Sequence, residues 1–180
     1  MEEFVLIRPT TEFERQISEY RQAFLDCGDS MDGCGQLRKF ENIQGYINFC
    51  SELEKSPNGL DGFVPSTQLI LVRKSDNKLV GMLDIRHYLN DYLEKFGGHI
   101  GYSILPCERK KGYAKQMLKM SLPICEEIGL TKLLLTCNES NLVSEKTILA
   151  NGGIYESTIV EPGSNKVIKR FWISLKKAES

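Results

Sequence analysis

Residues 109–114, Arg109-Lys110-Lys111-Gly112-Tyr113-Ala114, follow an apolar run that ends at Pro106 and open directly into a long amphipathic segment. The order is strand, glycine-containing turn, helix start. It leaves the first N–H groups of the helix without partners, at the positive end of the helix dipole. Such a turn is suited to phosphate. Gly112 allows the backbone to turn and to approach a ligand closely, while Ala114 keeps the first helical turn slim. The spacing therefore predicts a pyrophosphate cradle. The plainer alternative is a solvated basic turn, and the position between a strand and a helix argues for the cradle.

The chain that must position this turn has 180 residues, enough for a sizeable core, and is read as a single domain over residues 1–180. With 41% hydrophobic and 26% charged residues it has the composition of an ordinary globular protein. The 23 basic and 24 acidic side chains nearly cancel and form no long basic block, which argues against a nucleic-acid partner or a polybasic membrane surface. The N-terminal stretch begins acidic and lacks the basic region of a secretory signal. No apolar run approaches the roughly 20 residues of a membrane span, so the cytoplasm is the expected location. The six cysteines form no C-x-x-C pair and only two histidines accompany them, so no metal site is expected. They are read as small apolar residues, with Cys34, in a polar loop, the expected exposed thiol.

Along the chain, residues 4–7 form a short apolar strand ended by Pro9. Thr11-x-x-Glu14 reads as a capping box, followed by Phe13, Ile17, Tyr20 and Phe24 at helical spacing. A glycine-rich loop spans 27–36, and a second helix is predicted over 37–55. Residues 68–73 and 79–88 read as a hairpin around the turn 75–78. A helical turn is expected within 89–96, then a fourth strand over 99–105. The helix after the cradle runs to Gly129 with Pro123 inside it, which predicts a kink. A fifth, apolar strand covers 131–136, a short helix follows Asn141 and ends at Asn151-Gly152-Gly153, and two last strands occupy 154–160 and 167–175. Trp172 on the last strand is read as core, and Lys176-Lys177 as a solvated tail.

This order, with the turn 109–114, the helix start Asn141-x-x-Ser144 and the Asn151-Gly152-Gly153 stop, resembles the GNAT superfamily of acyl-CoA-dependent N-acetyltransferases. Within it the chain looks most like uncharacterised bacterial acetyltransferases, which narrows the substrate very little. The resemblance implies an α/β fold: a mixed, mostly antiparallel sheet of about seven strands with four main helices, its fourth and fifth strands parallel and splayed. It implies acetyl-CoA as cosubstrate and no metal. Carried over residue by residue, the pyrophosphate contacts fall on Arg109, Lys110, Lys111, Gly112, Tyr113 and Ala114, and the pantetheine contacts on Ile104, Leu105 and Asn141. An amide-bearing arm can satisfy the unpaired groups of a broken sheet.

The implied reaction is direct attack of a neutral primary amine on the thioester in a ternary complex. It needs a base, a donor toward the carbonyl oxygen, expected from backbone N–H near Ile104, and a proton for the leaving thiolate. Family members often place a glutamate where this chain has His99, whose ordinary pKa near 6.5 suits a base. His99 can equally be a histidine that merely opens a strand. Asp84, Glu108 and Glu139 are weaker candidates. The family's usual acid, a tyrosine seven residues after the Asn141 position, is replaced by Ile148. Ser144, one helical turn earlier, then either protonates the thiolate, as proposed in ribosomal-protein acetyltransferase relatives, or is an ordinary residue of the helix N-terminus.

Asp84, Arg86 and Tyr88 alternate onto one strand face, either solvated or lining an acceptor site. The acceptor, a small molecule or a peptide amine, is not readable, and a homodimer is compatible with the pattern. The missing tyrosine leaves a non-catalytic acyl-CoA-binding or regulatory module as the alternative. Other nucleotide-binding enzymes are disfavoured because neither G-x-G-x-x-G nor G-x-x-x-x-G-K-[ST] is present.

Overall fold

The computed structural model describes residues 1–175; Lys176-Lys177, read above as a tail, lies outside them. The elements are β1 (Phe4–Ile7), α1 (Glu14–Cys27), α2 (Ile43–Lys55), β2 (Ser66–Arg73), β3 (Lys78–Arg86), β4 (Ile100–Ile104), α3 (Tyr113–Ile128), β5 (Lys132–Asn138), α4 (Leu142–Ala150), β6 (Ile154–Val160) and β7 (Val167–Ser174). All the strand pairing is antiparallel. One sheet has the order β1-β2-β3-β4 and the other β5-β7-β6.

Local chemistry moved some helix starts from where the sequence put them. Residues Leu37–Lys39 make only a 3-10 turn, Phe40 is extended, and Asn42 begins α2 by accepting from the Gly45 N–H at 3.0 Å. Thr11–Phe13 is likewise a 3-10 turn that leads into α1 without a side-chain cap, so the expected capping box is not made. α3 runs without interruption through Pro123.

The β2–β3 sheet is covered on both faces, which is why both strands read as apolar runs without alternation. On one face Leu69, Leu71, Leu83 and Ile85 pack with Met117, Leu118 and Cys125 of α3, with Leu133 and Leu135 of β5, and with Phe171 of β7. On the other, Ile70, Val72 and Met82 pack with Ile17, Tyr20 and Phe24 of α1 and with Tyr46 of α2. Ile148 is fully buried in the first of these cores, so the position where a family tyrosine was expected serves packing. Trp172, expected in the core, is only half-buried: its indole N–H donates to Glu156, and Lys132 lies 4.7 Å from its ring centre. Cys34, expected to be exposed, is buried, and Cys27 and Cys107 are the exposed thiols.

Beyond that shared core, the main chain of one sheet bonds to that of the other at one clasp. The His99 N–H donates to Leu134 O at 2.7 Å, and His99 Nδ1 accepts the Leu134 N–H at 2.9 Å. Gly98, at φ +69°, makes the approach possible, because a Cβ there would lie 2.5 Å from Leu134 O. β4 and β5 belong to different sheets and stand apart without a ladder, so no parallel pairing joins them.

Burial, and then the positive charges of Arg86 and Lys132, lower the His99 pKa to about 4. The unfolded chain titrates near the ordinary 6.5, so falling pH protonates the unfolded state first. The stabilisation is complete above about 6.5 and is lost progressively as pH falls toward 4. Between pH 7 and pH 5, urea unfolding of the wild-type protein should lose roughly 2 kcal/mol more than that of His99→Ala. Equal losses in the two proteins would contradict the clasp.

Candidate active site

The turn expected to hold phosphate is built from two left-handed residues, Lys110 at φ 63° and Gly112 at φ 80°, with Gly112 the N-cap of α3. Alternation of this kind turns successive N–H groups toward a common point. Among the described residues, the first N–H at this end to reach a main-chain acceptor is that of Gln116, on Gly112 O at 3.3 Å. The N–H groups of residues 110–115 are left open, with no side chain capping them.

The cations of the turn are mostly committed elsewhere. Glu108, buried in the turn Pro106–Glu108, accepts from Lys78 at 2.7 Å, Lys111 at 2.8 Å and Arg73 at 2.9 Å. Burial alone would raise its pKa, but these three donors hold it down to about 2. Arg109 ion-pairs with Asp29 at 2.6 Å, donates to Ile104 O at 3.2 Å and lies 5.5 Å from the Phe24 ring centre. Lys111 is therefore a strut between the turn and the β2–β3 hairpin. The anion-binding capacity of the turn resides in its backbone.

From this turn a cleft of about 1160 Å³ runs between β4 and β5. Ile104, Arg109, Lys110, Gly112, Tyr113, Ala114, Asn141 and Ser144 line it; Leu105, Lys111 and His99 do not. Leu105 donates its N–H to Val80 O at 2.9 Å, and its carbonyl accepts from Glu108 N–H at 2.8 Å, so neither group is open to a ligand. The same bond fixes the phase of β4. With Leu105 facing β3, the main-chain groups of Tyr102 and Ile104 face the opening. His99 lies in the seam, 8% exposed, with its Nδ1 lone pair occupied by Leu134.

Asn141 caps α4 by accepting from the Ser144 N–H at 3.1 Å. The Ser144 hydroxyl is 2.7 Å from that of Tyr102 on β4. Burial pushes the Tyr102 phenol up to about 12, so it keeps its proton at neutral pH and can donate. Tyr102 was missed in the sequence because the phase of β4 depends on its pairing with β3. Across the cleft, the loop 27–36 lies on β4. Gly33, at φ +72°, packs so closely that a Cβ would meet Gly101 O at 2.5 Å, and Gly33 O accepts from Gln68 Nε2 at 2.8 Å. Beneath this loop Asp84 is buried and lines the cleft with Arg86, while Tyr88 is exposed and does not. Glu139 is exposed and also lies off the cleft.

An N–H cradle at a helix start, a sheet broken beside it and a cleft joining the two constitute the site. The model of the acetyltransferase (GNAT) family matches residues 33–149, a span that contains the cradle, β4 and β5. The chain belongs to the GNAT acetyltransferase family. No curated protein sequence matches it. Among solved structures this GNAT chain is similar to the ribosomal-protein-S5-alanine acetyltransferase of Vibrio fischeri, with a TM-score of 0.74 at 15% identity over 100% of this chain and 97% of that one. It is similar to a ribosomal L7/L12 α-N-protein acetyltransferase in complex with coenzyme A, at 0.70 and 11% identity over 98% and 96%. A dodecameric spermidine N-acetyltransferase from Vibrio cholerae matches at 0.65 and 15% identity over 98% of each chain. At these identities the likeness is one of fold. No helix among the described residues is long and apolar enough to cross a membrane.

Removing the Glu108 carboxylate leaves three cations facing one another. Glu108→Ala should lower stability by about 1–3 kcal/mol, less than for a fully buried pair because Lys78 and Lys111 reach solvent. Urea unfolding without ligand measures this, and a loss below about 0.5 kcal/mol would contradict the strut.

Proposed function

We propose that the chain transfers an acetyl group from acetyl-CoA to a primary amine, small or at a peptide terminus. The observation that carries this reading is the continuity of the open N–H cradle with the gap between β4 and β5. A diphosphate at one end of an extended ligand and an amide-bearing arm at the other would meet the two kinds of unsatisfied main-chain group that the cleft presents. The relatives reported above include one in complex with coenzyme A. Acetyl-CoA, when bound, supplies the activated acyl carbonyl.

The chain's own groups then have separate tasks. The N–H groups of residues 110–115 bind the diphosphate, and the outward-facing main chain of Tyr102 and Ile104, with Asn141, takes the amides of the arm. Ile104 N–H is the donor toward the acyl oxygen. Tyr102 donates to Ser144 Oγ, which turns the serine proton into the cleft, where a departing sulfur can take it. We propose that His99 holds the seam in place of acting as base, since its accepting nitrogen is already bonded. Tyr102 and Ser144 together would take the role expected of the hydroxyl absent at Ile148.

Thermal melting tests the reading. Acetyl-CoA at about a hundredfold excess over Kd should stabilise by roughly 2.7 kcal/mol, a rise of about 5–10 °C. No shift at millimolar acetyl-CoA would overturn the proposal. Ser144→Ala should reduce kcat by about 10–100-fold while leaving the acetyl-CoA shift intact. Binding without amine-dependent thiol release in the wild type would favour the acyl-CoA-binding module.

A further inference from the structure

The cleft has a second end, away from the cradle, and one residue that lines it carries a polar atom that no part of the described chain satisfies. Asp84 is 5% exposed, lines the cleft, and its Oδ1 has no hydrogen-bond partner. Directly across the β2–β3 ladder stands Gln68, whose Oε1 is also buried without a donor. Its amide nitrogen is turned away, donating to the carbonyls of Gly33, Leu69 and Leu83. Two acceptors on opposed residues share one sheet face. Arg86, two residues along the same strand, donates through Nη1 to Gly97 O and Gly98 O and makes a long ion pair from Nε to Asp84 Oδ2 at 3.7 Å, which leaves Oδ1 without a donor. A buried carboxylate left in this way is costly unless something with several donors and a positive charge arrives.

Of the other acids that line the cleft, Glu108 and Asp29 are paired with cations, and among the described residues Glu161 and Asp32 accept from hydroxyls alone. Asp29 holds Arg109, Glu161 accepts from Tyr92, and Asp32 accepts from Ser30. The neighbouring walls are apolar, built from Phe49 and Leu53 of α2 and from Phe63 and Val64 just before β2, with the Phe49 and Phe63 rings 6.3 Å apart. An apolar body attached to an ammonium at Asp84 would lie against these walls, whereas a second ammonium close to the first would be desolvated there without a partner.

We infer that Asp84 receives the ammonium group of the acceptor, and that the acceptor is a primary amine on an apolar or aromatic body in preference to a polyamine. This rests on the transfer reading above. Asp84 is thereby a catalytic residue: one carboxylate oxygen accepts the N–H of the bound ammonium and takes its proton, leaving the nitrogen lone pair free for the acyl carbon. Burial raises the pKa of Asp84, against the opposing charge of Arg86, and so increases its affinity for that proton. The loop 27–36, held by Gly33 on Gly101 and Gln68, closes the far side of the socket.

Isothermal titration of the full chain in the presence of coenzyme A tests this with four probes. β-Phenylethylamine and phenylalanyl-glycinamide carry the ammonium and the apolar body, free and at a peptide terminus respectively. 2-Phenylethanol lacks the ammonium, and spermidine lacks the apolar body. At least one of the first two should bind about tenfold or more tightly than either of the others, and the tighter of the two identifies the source. Asp84→Asn should weaken that binding by at least about tenfold, with acetyl-CoA affinity and melting temperature unchanged or raised. Equal binding of 2-phenylethanol, tighter binding of spermidine, no binding of either aromatic amine, or an unaffected Asp84→Asn would each overturn the inference. The probe comparison on the wild type needs no variant. A separate titration showing that acetyl-CoA itself does not bind would instead overturn the transfer reading.

Discussion

Everything in this molecule turns on a place where a sheet stops. β4 and β5 are held together by His99 and Leu134 and by no further ladder. A sheet that continued would bury the main-chain groups of Tyr102 and Ile104 in pairing and leave no channel. The clasp uses a side chain as well as a main-chain bond, so the imidazole must stay neutral, and its low pKa follows from that position. Gly98 belongs to the same requirement, since no other residue would let the strands approach at this point.

The cradle is rigid for a different reason. Its backbone adopts left-handed geometry at Lys110 and Gly112, which costs on the order of 1 kcal/mol for the non-glycine residue and persists only where the surroundings fix it. Glu108 does the fixing, by drawing Lys111, Lys78 and Arg73 around its own buried carboxylate. Charge near the cradle therefore serves to shape it, and open N–H groups remain to meet an anion. Arg109 extends the same logic across the cleft, because its pair with Asp29 ties the cradle to the loop that covers Asp84.

The sequence disclosed what is local. The turn 109–114 and the Asn141 cap depend on neighbours a few residues apart, and each lies where its spacing put it. What depends on distant partners was hidden. The phase of β4 is set by the bond from Leu105 to Val80, so Tyr102 in place of Leu105 faces the opening. His99 had the chemistry of a base, but its partner is Leu134, on a strand of the other sheet. Asp84 alternated with Arg86 and Tyr88 as a solvated face would, and its burial depends on segments distant in the chain that cover this face of the sheet. Helix starts slipped where a side chain made a competing bond, as Asn42 does with Gly45.

The most direct test of the account is to follow every backbone amide by heteronuclear NMR while acetyl-CoA is added. The account predicts the largest shift changes at the N–H groups of residues 110–115, at Tyr102 and Ile104, and at Asn141 and Ser144, with His99 and Leu134 little affected because their bonds are already made. Changes confined to other surfaces, or a cradle that remains silent while the protein binds the ligand, would contradict the claim that the broken sheet is the binding site.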